Sequence, residues 1–365
     1  MQDPEVQDAL RTFSGKIRAW RRFRGMFRGQ FDDMWQVARQ VRPDIILAHP
    51  KAFPAHDIGE ALGVVSLPSV LQPISVPTGD FPQFLVPAAD LGRFGNRLSF
   101  RLFNRLSAWG QGKAMGDWRE TVLDLPPVQS RSFMDGYSPE GGSVPHLHGY
   151  SSVIVPRPGD WGLQEHVTGY WFLDQAGDFR PPADLERFLS AGPPPVYVGF
   201  GSMPTPDAER QTETVIEALR LAGQRGVLAM GWGGLSAVSG APFVHVLDGA
   251  PHDWLFPRCA AVVHHGGSGT THEGLKWGRP TIVCPFVVDQ PFWGRRVNRL
   301  GAGPAPLPQK RLTAERLADA IRYALLDETS ACAAAIGERM RREGGAAEAA
   351  RLVEGAARVR DRAAP

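Results

Sequence analysis

The densest chemistry in the chain is one run, His264-His265-Gly266-Gly267-Ser268-Gly269-Thr270-Thr271. It follows the apolar stretch Ala261-Val262-Val263 and precedes a segment predicted to be helical, Thr270 to Trp277, so it joins a strand to a helix. Glycines at such a turn let the backbone approach a ligand closely. The first N–H groups of a helix lack intrahelical acceptors and carry the positive end of its dipole. With the hydroxyls of Ser268, Thr270 and Thr271, this combination suits an anionic diphosphate. The run has neither the lysine of a P-loop nor GxGxxG spacing, which counts against an ATPase and a nicotinamide dehydrogenase. His264 and His265 are neighbours at a strand end and point to opposite faces. One is expected on the ligand side and the other inside the fold, so no metal site is expected from them or from His272.

Two further clusters fall where predicted strands end. Phe200-Gly201-Ser202-Met203 leaves room for a phosphate, or is a plain strand-to-helix turn. Asp289-Gln290 pairs a carboxylate with an amide, which together accept from and donate to sugar hydroxyls, or is a solvated loop. In a doubly wound parallel sheet the carboxyl ends of the strands line one crevice. All three clusters would converge there.

The elements that must position them alternate. In the first half, Asp44 to Ala48 reads as a strand, Ala52 to Leu62 as a helix closed by Gly63, and Val64 to Val70 as a second strand. Pro68, Pro73, Pro77, Pro82 and Pro87 then punctuate a long loop. Prolines between Arg180 and Pro195 mark a connector, beyond which strands and helices alternate cleanly and an alanine-rich helical tail runs from Thr313 to Ala363. The expected division is an N-terminal domain over 1–185 and a C-terminal domain over 186–365, with the tail helix returning to the first domain. Two predicted helices carry basic stripes: Arg and Lys interleave Phe13, Ile17, Trp20, Phe23 and Phe27 in one, and Arg93, Arg97, Arg101 and Arg105 recur at i+4 in the other. The favoured reading is a solvated basic face on a helix that packs its aromatics inward; the alternative is peripheral contact with anionic lipid.

The chain has 365 residues, 43% hydrophobic and 21% charged, with a formal net charge of +2. Near-neutral charge counts against a nucleic-acid partner. Cys259, Cys284 and Cys332 share no CxxC spacing and suit a reducing compartment, so a cytoplasmic location is expected. No apolar run reaches the ~18 residues of a membrane span, and the polar start Met1-Gln2-Asp3-Pro4-Glu5 is not a signal peptide.

Taken together, Pro251-His252-Asp253-Trp254-Leu255-Phe256-Pro257, the run His264 to Thr271, Gly278-Arg279-Pro280-Thr281, Pro285-Phe286 and Asp289 to Gly294 resemble the donor-binding signature of family 1 glycosyltransferases. Gly231-Trp232-Gly233-Gly234 and His166 to Trp171 resemble the sterol 3-β-glucosyltransferase branch and its antibiotic-glycosylating relatives. The resemblance implies an α/β GT-B fold, two Rossmann-like domains facing a cleft. It also implies inverting transfer of a hexose, glucose from UDP-glucose, to a hydroxyl of an apolar acceptor such as a sterol, lipid or polyketide, with no cofactor or metal. Residue by residue, His265, Gly267, Ser268, Gly269 and Thr270 would hold the diphosphate, with Ser202 opposite. His252 would line the nucleobase pocket, Trp232 would wall the cleft, Glu273 would reach the ribose, and Asp289 and Gln290 would bind the sugar. A glutamate at 273 departs from the small residue common in the sterol branch.

The family's base lies on a glycine-containing loop after the first strand of the N-terminal domain, and no such strand and loop precede Asp44. The first β-α-β unit is therefore expected to be missing, and activity of this chain alone is in doubt. His49 and His56 are the substitutes the sequence offers, though a histidine at such places is more often polar packing. Two alternatives stand beside a transferase: a non-catalytic auxiliary or activator protein, and a nucleotide-sugar epimerase on the same fold. Asp289-Gln290 and the Pro251–Pro257 segment favour transfer over epimerisation.

Overall fold

Short apolar segments separated by amphipathic helices build two parallel sheets. The structure is a computed structural model that describes residues 29–86, 90–127, 132–201, 207–230 and 241–363. The predicted helix bearing Phe13 to Phe27, and the candidates Ser202 and Trp232, lie outside the described residues. A helix over 29–41 (α1) precedes β1 (Ile45–Ala48), α2 (Ala55–Leu62), β2 (Val65–Val70), the long α3 (Gly92–Val122), β3 (His146–His148) and β4 (Glu165–Val167). These four strands pair in the order β1-β2-β3-β4. After α4 (Ala183–Ser190) come β5 (Val196–Gly199), α5 (Ala208–Ala222), β6 (Gly226–Ala229), β7 (Val244–Leu247), α6 (His252–Leu255), β8 (Ala261–His264), α7 (Ser268–Lys276), β9 (Thr281–Val283) and α8 (Gln290–Arg299). The second sheet runs β7-β6-β5-β8-β9. The tail is three helices rather than one: α9 (Ala314–Ala324), α10 (Asp327–Met340) and α11 (Gly345–Ala363).

Local chemistry sets the boundaries. Helix α2 starts at Ala55 rather than Ala52 because Pro54 takes the cap position, and Gly63 closes it at φ 64° as a left-handed cap. Asp207 caps α5 by accepting from the Arg210 N–H, and Gly223 closes that helix in the same way. Helix α7 begins at Ser268, two residues earlier than the sequence predicts, which brings the glycine run into its cap.

Proline 68 corrects the expectation that these prolines all lie in loop, since it falls inside β2, paired in register with Ala48. Ser66 exchanges backbone bonds with Tyr137, and pairing with β3 on that edge begins at Ser69, set opposite Leu147. Residue 68 shares that edge and falls between the two partners, where a missing N–H leaves no ladder bond unmade.

One of several apolar clusters joins the two halves. Phe81, Phe84, Phe100, Tyr150, Val153 to Val155 and Trp161 from the first half pack with Leu275, Val283, Phe292, Trp293, Ile336 and Met340 from the second. Helix α11 lies on the first sheet, where Leu352, Val353 and Ala356 pack against Val65, Leu67 and Leu147. Backbone bonds tie the return, with the Gly345 N–H donating to the Thr168 carbonyl at 2.7 Å.

Candidate functional site

Strand β8 is buried along its length and delivers the turn at residues 264–267 to the carboxyl edge of the second sheet. His264 is fully buried, and its Nδ1 accepts from the Gly266 N–H at 2.9 Å, folding the turn back on itself. Gly266 takes φ +92°, and a Cβ there would stand 2.6 Å from Val283 Cγ1 and 3.1 Å from the Gln290 carbonyl. Only glycine fits, on both conformational and steric grounds. The chain then enters α7 with Gly267 as its cap and no side chain among the described residues satisfying the first N–H groups.

His265 takes the other face. Its ring lies between two glycines: a Cβ on Gly267 would be 2.6 Å from its Nε2, and one on Gly201 3.2 Å from its Cε1. The ring thus sits between the end of β5 and the start of α7, and its buried Nδ1 has no partner among the described residues. Burial holds the imidazole below its ordinary pKa, with Asp289 pulling the other way. A neutral ring with an open nitrogen, beside the free N–H groups of a helix start, is equipped to meet a phosphate oxygen through hydrogen bonds.

The third histidine does different work. His272 is fully buried on α7; its Nδ1 lies 2.7 Å from the Ser268 carbonyl, and its Nε2 accepts from the Ser151 N–H at 3.2 Å. A carbonyl can only accept, so Nδ1 carries the proton and Nε2 the lone pair. Tyr170 stacks on the ring at 4.3 Å, and burial lowers its pKa to about 4. Ser268 donates its hydroxyl to the Leu71 carbonyl at 3.2 Å. The start of α7 is therefore docked against the carboxyl ends of the first sheet, where Leu71 follows β2 and Ser151 closely follows β3.

The sugar-binding candidates divide. Asp289 opens α8, and one of its oxygens accepts from the Trp293 indole at 2.9 Å. Gln290 is buried, and its side-chain oxygen accepts from the Phe286 and Val287 N–H groups at 2.7 and 3.0 Å. That carbonyl clamps the loop over residues 285–288, in which Val288 takes φ +59°. A β-branched residue in the left-handed region is strained, and the glutamine clamp helps to hold it there. His252 stacks on Phe256 at 4.3 Å with its Nε2 3.5 Å from the Tyr197 hydroxyl; burial lowers its pKa to about 4. The Glu273 carboxylate accepts from the Trp277 indole at 2.7 Å and lies 3.8 Å from the Lys276 ammonium. Burial raises its pKa.

The two base candidates are not poised alike. His56 is buried, with Nδ1 2.6 Å from the Ser66 hydroxyl and its ring against Phe133, so a substrate hydroxyl has no approach to it in this arrangement. His49 is half-buried after β1, and its Nδ1 already accepts from the Lys51 N–H at 3.2 Å. In the neutral ring Nε2 then carries a proton, so as placed it donates rather than accepts.

Sequence reasoning missed a buried cluster on the first sheet. The Glu165 carboxylate bonds His146 Nδ1 at 2.7 Å and His148 Nε2 at 2.6 Å. Burial alone would raise the carboxyl, but the two imidazoles outweigh it and bring its pKa down to about 2. The signal was the i, i+2 spacing of the histidines, which puts both on one face of a strand. It becomes informative only with the register that sets His146 opposite Glu165. The cluster fixes the segment that carries Ser151 to His272.

A family model described as the erythromycin biosynthesis protein CIII-like C-terminal domain matches residues 232–354. A sterol 3-beta-glucosyltransferase of Arabidopsis thaliana is 41% identical over 309 residues, covering 84% of this chain and 48% of that protein. One from Emericella nidulans is 33% identical over 365 residues, 95% of this chain and 25% of its own length. The chain thus spans about half the length of its plant relatives and a quarter of that fungal one. Among solved structures, the glycotransferase of kitacinnamycin superposes with a TM-score of 0.68 at 20% identity, over 93% of this chain and 83% of that one. The glycosyltransferase VinC, solved with dTDP, gives 0.63 at 18% identity, over 98% and 83%. At these identities the structural likeness speaks for the fold alone: two Rossmann-like units in the GT-B arrangement. By sequence and by fold together, the chain belongs to the family 1 glycosyltransferases, near their sterol and antibiotic branch.

Proposed function

We propose that the chain works as an inverting glycosyltransferase that moves a hexose, glucose from UDP-glucose, to the hydroxyl of a sterol or a similar apolar acceptor. The observation that carries this reading is the start of α7, a glycine-built helix terminus with an open imidazole nitrogen beside it and the first sheet across from it. In this reading the diphosphate lies on the N–H groups of Ser268 to Thr270 and against His265. As the acceptor oxygen attacks the anomeric carbon, its proton passes to a general base, a role neither His49 nor His56 fills as placed, while the bond to the diphosphate breaks and negative charge grows on the leaving group. Fixed N–H donors and the helix dipole stabilise that charge without having to reorganise. Asp289 keeps one oxygen for the indole of Trp293 and offers the other to a sugar hydroxyl. Gln290 supports the loop beneath it and contributes its amide side only.

The sterol as acceptor rests on the names of the relatives, and the aromatics of the first half supply the apolar lining. Phe81, Phe84 and Phe100 are themselves core, so the acceptor would meet the edge of that cluster rather than its centre. An acceptor of this kind is carried in membranes, and the exposed side of α3 is the part of the chain we assign to meeting one. The test is direct. UDP-glucose titrated into the protein should bind, and incubation with a 3β-hydroxysterol should give a product heavier by one hexose in mass spectrometry, formed slowly because neither His49 nor His56 is placed to take the acceptor's proton. Absence of UDP-glucose binding would overturn the donor reading. Binding with no transfer to any apolar hydroxyl would overturn the transferase reading while leaving the donor site standing.

A further inference from the structure

Helix α3 turns its apolar stripe outward. Phe94 is 78% exposed, Leu102 53%, Leu106 65% and Trp109 82%, with Leu98 exposed between them. The spacings of four, four, four and three place these side chains in one line along the helix. This corrects the favoured expectation of aromatics packed inward, which holds for Phe100 and Trp118 but not for Phe94 or Trp109. Single exposed apolar residues are ordinary; five in line on one helix are not.

The helix is firmly held in this pose. Near its start the Asn96 side chain donates to the Gly79 carbonyl at 2.9 Å, and midway Asn104 donates to the Ser75 carbonyl at 2.8 Å. At its far end Trp118 donates to Asp32 at 2.8 Å, and the buried Arg119 pairs with Asp57 and Glu60. Beside the stripe run Arg93, Arg97, Arg101 and Arg105, and from Gly92 through Lys113 the helix carries no carboxylate. Arg93 and Arg97 are paired with Asp80 and Asp160, while Arg101 and Arg105 are exposed and make no ion pair among the described residues. No described helix is long and apolar enough to cross a membrane.

We propose that α3 is a surface-lying membrane helix that seats the chain on an anionic bilayer, with Phe94 to Trp109 at the acyl boundary and Arg101 and Arg105 on lipid phosphates. The pairing of an outward apolar stripe with a row of cations is what such a surface recognises. A second copy of the chain fits less well, because it brings another row of arginines and no carboxylate on this stretch to meet them. The proposal rests on the reading that the acceptor is a membrane-borne apolar hydroxyl. The first turn of α3 adjoins the loop carrying Phe81, whose ring meets Phe292 of α8 at 6.1 Å, and α8 opens with the sugar-binding candidate Asp289. A chain seated on α3 would therefore hold the acceptor side of its cleft toward the lipid.

Sedimentation of the 365-residue chain with vesicles tests this, using phosphatidylcholine alone and phosphatidylcholine mixed with phosphatidylglycerol. The protein should sediment with the mixed vesicles and bind neutral ones at least about tenfold more weakly. The double variants Arg101→Glu/Arg105→Glu and Leu106→Gln/Trp109→Gln should each lose about tenfold or more on mixed vesicles, with UDP binding and the unfolding midpoint unchanged. Equal binding by variants and parent, or no binding to either vesicle, would overturn the proposal. So would a dimer in sedimentation velocity that Leu106→Gln/Trp109→Gln dissolves, or a fall in stability showing the stripe covered within the chain. Loss of vesicle binding with UDP-glucose binding intact would leave the donor reading untouched, and failure of UDP-glucose binding alone would leave this one standing.

Discussion

Between residues 264 and 272 the chain places three histidines, all held below their ordinary pKa by burial, whereas between 93 and 105 it places four arginines, all on the outer side of one helix. The first region turns one neutral ring, His265, and oriented backbone to its ligand space, while His264 and His272 brace the turn from inside, so a bound diphosphate would be met by hydrogen bonds and a helix dipole. In the second, Arg93 and Arg97 pair with Asp80 and Asp160, while Arg101 and Arg105 display full charges in water, where they contribute little to folding and can act at a distance on an anionic surface. A buried site gains from neutrality because an unpaired internal charge is costly. An exposed face has no such constraint. The difference separates recognition of a small ligand by shape from recognition of a surface by charge.

The largest effect should come from closing the backbone of the first region. Gly266→Val asks a β-branched residue to adopt φ +92° with its Cβ against Val283 and Gln290. Strain and overlap together should cost about 3 kcal/mol or more in urea unfolding, with loss of UDP binding by calorimetry. If this variant kept both, the turn would not be the rigid platform described here.

Acid should come next. The ring of His272 resists protonation until about pH 4 in the folded chain, while in the unfolded chain it takes up a proton near pH 6.5. The unfolded state therefore binds more protons over that window, and stability falls as pH drops from 6.5 toward 4, by roughly 3 kcal/mol from this residue. Urea midpoints at pH 7 and pH 4.5 measure the fall, and His272→Gln should remove this residue's share while His252 and His264 keep theirs.

A smaller effect belongs to the sugar. Asp289→Asn removes the charge but keeps the shape, so UDP-glucose binding should weaken by about tenfold while UDP binding changes little, as expected for one charge-assisted hydrogen bond. Equal losses for the two ligands would remove Asp289 from the sugar. Smallest of all, Arg101→Glu should shift stability by less than about 0.5 kcal/mol, the ordinary range for an exposed residue with no partner to lose. A large loss there would erase the contrast between the regions.

The contrast was unevenly legible in the sequence. The β8 turn could be read because its requirements are local: an apolar strand, glycines where backbone must pass, hydroxyls at a helix start. The opposed faces of His264 and His265 followed from strand alternation alone. Gln290 was assigned to the sugar, and its second task was not legible: its side-chain oxygen serves the Phe286 and Val287 N–H groups, which depends on a loop bend that no spacing reports. His272 looked like a third member of a histidine cluster, and its partner, the N–H of Ser151, is 121 residues away. The face of α3 was misjudged for a related reason. Periodicity says that a helix has an apolar side, but which side meets the core is decided by Asn96, Trp118 and Arg119, whose partners lie far along the chain. Local geometry is written locally, whereas docking is written in pairs.

The central claim is that the start of α7 holds the nucleotide diphosphate, and amide hydrogen exchange tests it most directly. With UDP or UDP-glucose added, the N–H groups of His265 to Thr271 should exchange markedly more slowly while the 94–109 stretch of α3 is unaffected. Unchanged exchange across His265 to Thr271 in the presence of saturating ligand would contradict the account.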